Sequence, residues 1–389
     1  MNTKEKDLKY IMHTYGRYDV ALQKGKGAVA FDEDGKRYID VSSGIGVNSL
    51  GYCDEGWAKA VADQANTIQH MSNYFYSAQA SDLAEKLCTL TGLAKVCFGN
   101  SGAEANECAI KLARKYSFDK YGNGRNEIIT LENSFHGRTV TTLSATGQEV
   151  FHNFFFPFTH GFGFVPANDF SALENAVCDK TCAVMIEVVQ GEGGVNILDK
   201  SYVQAISELC KSRDILLIVD EVQTGAGRTG KLFGYEHYGI LPDIVTAAKG
   251  LGGGLPIGVC MCGEKLKDVM SPSTHGTTFG ANPVVCAGAN YVLDKISDEK
   301  FLASVEEKGT YLEKKLMELD DVKNVRRLGL MVGIEIDGDA HDLAIKCVEN
   351  GLLIITAKDV LRMLPPLTIT AAELDEAVSI LDKVLKENR

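Results

Sequence analysis

The chain has 389 residues, 45% of them hydrophobic, enough for one large core and a smaller one, because single cores stop growing at roughly 250–300 residues. Forty basic residues against 52 acidic ones give a net charge of −12, which disfavours nucleic-acid phosphates and anionic membrane surfaces as partners. The N-terminal stretch holds no apolar segment of signal-peptide length and nowhere do 18 apolar residues run together, so a cytoplasmic protein is expected.

Along the chain, short apolar runs alternate with amphipathic stretches. KVCFGN (95–100), NEIITLEN (126–133), AVMIEVV (183–189), ILLIVDEV (215–222), DIVTAAK (243–249) and IGVCMCG (257–263) read as strands buried on both faces. Between them AEANECAIKLARKY (103–116) and SYVQAISELCKSR (201–213) read as helices. The alternation predicts an α/β fold around a largely parallel sheet, with ligands at the carboxyl ends of its strands. Beyond about residue 284 the pattern changes to long helices around a few strands, such as VRRLGLMVGIEID (325–337), and a final helix opened by a Thr370/Glu373 capping box. That predicts three parts: an N-terminal segment (1–60) packed with a small C-terminal α+β domain (284–389), and a large domain (61–283). Eleven scattered cysteines lack any C-x-x-C pair, and no histidine stands at zinc-site spacing from Cys178/Cys182 or Cys260/Cys262, so no metal is expected.

The strand ends carry the chemistry. ILLIVDEV delivers Asp220 and Glu221 straight out of an apolar run, and DIVTAAK ends on Lys249 before a glycine cluster. An acid and an amine at two strand ends form either a structural ion pair or a reactive site. KVCFGNSGAEANE passes from strand to helix through Asn100-Ser101-Gly102, whose unpaired N–H groups at a positive helix end make an anion cradle. SFHGRT (134–139) adds Phe135, His136 and Arg138 after another strand. Lysine, aspartate, anion cradle and aromatic plate together match what pyridoxal phosphate needs. A nucleotide-binding reading is weaker, because GLGGGLPIG contains no G-x-x-x-x-G-K-[ST] and no strand leads into a G-x-G-x-x-G helix start.

Eight ordered motifs then extend the match over nearly the whole chain: IDVSSGIGVNSLG (39–51), GNSGAEANE (99–107), SFHGRT, QGEGG (190–194), VDEVQTGAGRTG (219–230), AAKGLGGGLPIG (247–258), HGTTFGANP (275–283) and LRMLPP (361–366). With them the chain resembles the class III, fold type I, pyridoxal-phosphate aminotransferases, and within that family its acetylornithine-type branch. Val188, where a proline often precedes QGEGG, and LGYCDEGW (50–57), in place of a His- and Pro-containing stretch, depart from the usual pattern. Neither touches a residue assigned to chemistry.

The resemblance implies a large domain with a mostly parallel seven-stranded sheet, a smaller C-terminal α+β domain, and pyridoxal 5′-phosphate held covalently by Lys249. It further implies that Asp220 pairs with the pyridine nitrogen, Gln223 with the phenolic oxygen, and Phe135 with the ring face. Ser101, Gly102 and Ala103 would take the phosphate, completed by Thr278 of a second subunit in a homodimer with shared sites. Arg138, with Thr277 and Asn48 nearby, would bind the donor's α-carboxylate, while Arg362 would grip glutamate or 2-oxoglutarate and be neutralised by Glu192 when the amine donor is bound. The implied reaction moves the distal amino group of N2-acetyl-L-ornithine to 2-oxoglutarate, giving N-acetyl-L-glutamate 5-semialdehyde and L-glutamate by a ping-pong route in arginine biosynthesis. Ornithine, succinyl-diaminopimelate and 4-aminobutyrate are alternative donors. A non-catalytic pyridoxal-phosphate-binding regulatory module is the alternative of a different class. An unperturbed lysine, with pKa near 10.4, is neutral in only about one molecule in 2,500 at pH 7, so the apolar setting of Lys249 is itself a requirement of the reading.

Overall fold

A computed structural model describes residues 1–388. Three N-terminal strands, β1 (Leu22–Lys26), β2 (Val29–Asp32) and β3 (Arg37–Asp40), form an antiparallel meander. The central sheet takes β4 (Lys95–Gly99), β5 (Glu127–Leu131), β6 (Phe162–Val165) and β7 (Thr181–Ile186), then, after a small hairpin of β8 (Val189–Gln190) and β9 (Asn196–Ile197), β10 (Leu216–Asp220), β11 (Ile244–Ala248) and β12 (Gly258–Cys262). Its order is β4-β12-β11-β10-β7-β5-β6, and only β12 runs antiparallel to its neighbours.

This is the predicted α/β architecture, with all six expected strands present. The seventh, β6, comes from a half-exposed Phe-Gly-Phe-Val stretch at the sheet edge, where continuous burial is not required and the apolar run is correspondingly short. The strands β7, β10 and β11 are buried throughout. Each buried Val, Leu or Ile contributes about 1.5–3 kcal/mol relative to exposure, which fixes where these strands end and so where Asp220 and Lys249 emerge. Helices Gly102–Tyr121 and Lys200–Arg213 fall where the amphipathic pattern puts them.

In the C-terminal region the stretch read as part of a few strands forms a hairpin of β13 (Val322–Leu328) and β14 (Met331–Ile336). The break is Gly329, at φ +57°, where an added Cβ would meet the Thr229 backbone at 2.4 Å. Short strands β15 (Leu352–Leu353), β16 (Ile355–Ala357) and β17 (Val360–Met363) follow, and β17 pairs with β14. The last helix, Ala371–Lys386, opens on the expected Thr370/Glu373 capping box. β15 pairs with β3, so the N-terminal meander is continued by a C-terminal strand. Among the described residues no helix is long and apolar enough to cross a membrane.

Candidate active site

A cavity of about 570 Å³ opens at the carboxyl ends of the central strands and brings together Ser101, Gly102, Ala103, Phe135, Arg138, Asp220, Gln223 and Lys249. Lys249 follows β11 directly and sits at φ +43°, a left-handed conformation sparsely occupied by residues with a Cβ. Its amine is held below the usual lysine range, chiefly by burial and also by the Arg362 charge, against the opposing pull of Glu192, Asp220 and Glu187. Two things sequence reasoning asked of this residue therefore coincide: a strand-end position and a poorly hydrated nitrogen.

Asp220 closes β10 and is 4% exposed. Its Oδ2 accepts from Asn106 Nδ2 at 2.7 Å and from His136 Nδ1 at 2.8 Å, and its Oδ1 accepts from Val222 N at 3.0 Å. Asn106 is fixed in turn, donating to the His136 carbonyl and accepting from Thr246 on β11. Three donors hold the carboxylate in one orientation at a cost that a buried anion without partners would not repay. The neighbouring Glu221 turns the other way. Its carboxylate accepts from Gly234 N at 2.8 Å and Tyr235 N at 2.7 Å, and burial raises its pKa to about 7.

The cradle is the start of helix Gly102–Tyr121, capped by the Ser101 hydroxyl on Glu104 N, while Glu104 reaches back to Asn100 N. An added Cβ on Gly102 would meet Val222 at 2.7 Å, so glycine is required for this close approach. Of the glycines after Lys249, Gly250 and Gly253 make room for other parts of the chain. A Cβ on Gly253 would strike Val292 at 2.7 Å and Trp57 at 2.9 Å, and Gly250 packs on Gly46 and Ser49. They let the segment carrying Ser42–Trp57 lie against the lysine turn; Gly254 alone of Gly250, Gly252, Gly253 and Gly254 lines the cavity. Asn48 lies beside Gly254 at the edge.

Arg362, on β17, is 2% exposed and pairs with Glu192 through two contacts, Nη1–Oε1 at 2.8 Å and Nη2–Oε2 at 3.1 Å. Gln223 bridges them, accepting from Arg362 Nη1 at 3.0 Å and donating to Glu192 Oε1 at 3.1 Å. Burial opposes ionisation of Glu192, yet the guanidinium wins and holds its carboxyl below the usual range. Arg138, exposed and lining the cavity, stacks 4.2 Å from the centre of the Phe151 ring and 5.6 Å from that of Phe135. Among the described residues it makes no ion pair.

Thr277 accepts from Asn100 Nδ2 at 2.9 Å, beside the cradle. Thr278 is exposed and does not line the cavity of its own chain. Three residues that sequence reasoning gave no role join the site: Asn106, His136 and Glu187. Glu187 lines the cavity, accepts from Phe135 N at 2.9 Å, and is pushed well above the usual carboxylate range by burial and then by the Asp220 charge. The available signal for Glu187 was a charge inside the apolar run AVMIEVV.

These residues fit pyridoxal phosphate. A dehydrated amine, a buried carboxylate with fixed orientation, an anion cradle and an aromatic ring face one cavity. The buried Nε2 of His136 has no hydrogen-bond partner, so the Nδ1 side of the ring is committed to Asp220.

The aminotransferase class-III family model matches residues 10–385. The acetylornithine aminotransferase of Haemophilus ducreyi is 51% identical over 387 residues, covering 99% of this chain and 98% of the relative. Among solved structures, ornithine aminotransferase from Toxoplasma gondii, with partial occupancy of PLP at its active site, superposes with a TM-score of 0.94 at 34% identity, covering 99% of this chain and 94% of that one. Acetylornithine aminotransferase from Elizabethkingia anophelis gives a TM-score of 0.88 at 34% identity, over 99% and 98% of the two chains.

Proposed function

The chain belongs to the class-III aminotransferases, and from that premise we propose that it transfers the distal amino group of N2-acetyl-L-ornithine to 2-oxoglutarate with pyridoxal 5′-phosphate as cofactor. The observation that carries this reading is the pairing of a desolvated Lys249 with a rigidly held Asp220 across one cavity, in a chain half-identical to an acetylornithine aminotransferase.

When bound, pyridoxal phosphate supplies the electron sink that acidifies the C–H bond next to the substrate amine. Lys249 would hold the cofactor and, as a free amine, would carry that proton, for which a depressed pKa is needed. Asp220 would keep the pyridine nitrogen protonated, its carboxylate aimed by Asn106 and His136. The N–H groups of Ser101, Gly102 and Ala103 would bind its phosphate, and Phe135 would supply an aromatic contact to its ring. Arg138 binds the donor's α-carboxylate bidentately near Thr277 and Asn48. Glu192 neutralises Arg362 while the monocarboxylate donor is bound and releases it for the second carboxylate of 2-oxoglutarate.

A homodimer with shared sites forms part of the reading. It is supported by Thr278, exposed and outside its own cavity, and by the exposed Tyr74, Phe75, Tyr76 and Phe279. The division at residues 60 and 283 and a cytoplasmic location belong to the same proposal. To test the substrate, holoenzyme is incubated with 2-oxoglutarate and each candidate amine in turn, and initial rates of glutamate formation are ranked. Acetylornithine should lead; a clear preference for ornithine would overturn the donor assignment and favour the activity named for the Toxoplasma gondii neighbour.

A further inference from the structure

A second cluster of potential metal ligands lies where β4, the cradle helix and the segment before Thr277 meet. Cys97 on β4, Cys108 on helix Gly102–Tyr121 and His275 in the segment before Thr277 place one ligand atom each within 4.8 Å of one another. Cys260, directly opposite Cys97 in the β4–β12 pairing, contacts the Cys108 thiol as a further sulfur. All eleven cysteines are free thiols, so none of these is committed to a disulfide. The three residues come from three separate elements, which is why no local spacing in the sequence reveals them.

We propose that Cys97, Cys108 and His275 form a binding site for a thiophilic divalent cation, zinc in the first instance, that ties the segment 271–282 to the strand and helix carrying the anion cradle. The donor set is chemically apt, since two thiolates and an imidazole favour zinc over hard oxygen-seeking cations. The geometry is close. Zn–S bonds of about 2.3 Å at tetrahedral angles set ligand atoms about 3.8 Å apart, so the side chains need contract by only about 1 Å. Binding releases the two thiol protons to solvent, and the two thiolate charges then balance the cation. Lys111, 3.1 Å from His275 Nδ1 and donating to the Thr274 carbonyl, is the adverse charge and must yield if Nδ1 is the ligand; burial and Lys111 together hold the imidazole below its usual range against the weaker pull of Glu107 and Glu104, which favours the neutral ring that a metal needs. Cys260 or water fills the fourth position.

The site is coupled to the cradle by short paths. Cys108 lies six residues past Gly102 on one helix, about 9 Å along its axis. His275 lies two residues before Thr277, whose hydroxyl accepts from Asn100. Metal there restrains the loop from which Thr278 projects.

Holoenzyme kept reduced, stripped with a chelator and desalted, is dialysed against Zn²⁺, and bound metal is counted per chain; a parallel sample takes Co²⁺. The proposal expects one metal per chain, a thiolate-to-cobalt charge-transfer band, and a Tm raised by a few degrees on loading. Cys108→Ala should abolish uptake and His275→Ala should weaken it at least tenfold, while Cys178→Ala, which removes an exposed thiol outside the cluster, leaves it unchanged. If Cys108→Ala does not fold, Cys97→Ser and His275→Ala carry the test. Absence of stoichiometric uptake by the unmodified protein, a cobalt form without the thiolate band, or uptake that survives these substitutions would overturn it.

Discussion

The floor and the rim of the cavity are built on opposite principles. At the floor, Asp220, Asn106, His136 and Thr246 are buried and bonded to one another, so each side chain has one orientation and nothing to exchange. At the rim, Arg138 is exposed and rests on an aromatic ring; Arg362, buried and outside the cavity lining, is likewise not locked, being held by a carboxylate that a substrate carboxylate can displace. The difference teaches where each part of the proposed reaction resides: what must be the same in both half-reactions is fixed by buried hydrogen bonds, and what must differ is left to exchangeable ion pairs. Variants at the floor should therefore act on kcat with either substrate, and variants at the rim on the KM of one.

The largest effect is expected for Lys249→Ala, which removes both the cofactor's anchor and the proton carrier. Turnover should fall by at least about 10⁴-fold, and the visible absorbance of purified holoenzyme should change with it. Retention of measurable turnover without an added amine would place the reacting nitrogen elsewhere. Asp220→Ala comes next, at about 10²–10³-fold in kcat for both half-reactions, as for loss of a buried charge aimed at the developing transition state. Equal losses sharpen the contrast; a loss confined to one substrate would move Asp220 from the floor to the rim. Arg138→Ala should raise the apparent KM for acetylornithine by about 10–100-fold with a smaller change in kcat, the size expected for one charged bidentate clamp. An unchanged KM would remove Arg138 from donor recognition.

How much of this was legible without the fold depends on whether a residue's role is local. Asp220 and Lys249 were readable because each ends a run of consecutive apolar residues, and hydrophobic burial of β10 and β11 alone fixes where those runs stop. β6 was not readable, since a half-exposed edge strand with a central glycine needs no continuous apolar signal. Nor was the turn in VRRLGLMVGIEID, because what forces it is the approach of the Thr229 backbone to Gly329 from a different part of the chain. Asn106 shows the limit at the site itself. It lies within an amphipathic helix where a polar residue reads as solvated, yet it is 1% exposed and spans His136, Asp220 and Thr246, three elements that only the tertiary fold brings together. The same reason hides the Cys97, Cys108 and His275 cluster.

The smallest predicted effect concerns Glu221, which leaves the same strand end as Asp220 but belongs to neither floor nor rim. Burial raises its pKa from 4.5 to about 7, while the Thr224 hydroxyl and the N–H groups of Gly234 and Tyr235 lower it against that trend. Between pH 4.5 and about 7 the folded state thus holds a proton that the unfolded chain has lost. Stability from this group is complete below pH 4.5 and declines as pH rises through that window, by roughly 3–3.5 kcal/mol in all. Glu221→Gln cannot ionise, and although its single amide oxygen can accept from only one of the two N–H groups, that loss is independent of pH, so it should be free of that decline. The measurement is the Tm of both proteins from pH 4.5 to 7.5: the variant should gain on the parent as pH rises, because carboxylates common to both cancel in the difference. Parallel curves would mean that Glu221 is already ionised in the folded state at pH 5, and that three hydrogen bonds outweigh burial at this strand end as they do for an anion held by dedicated donors.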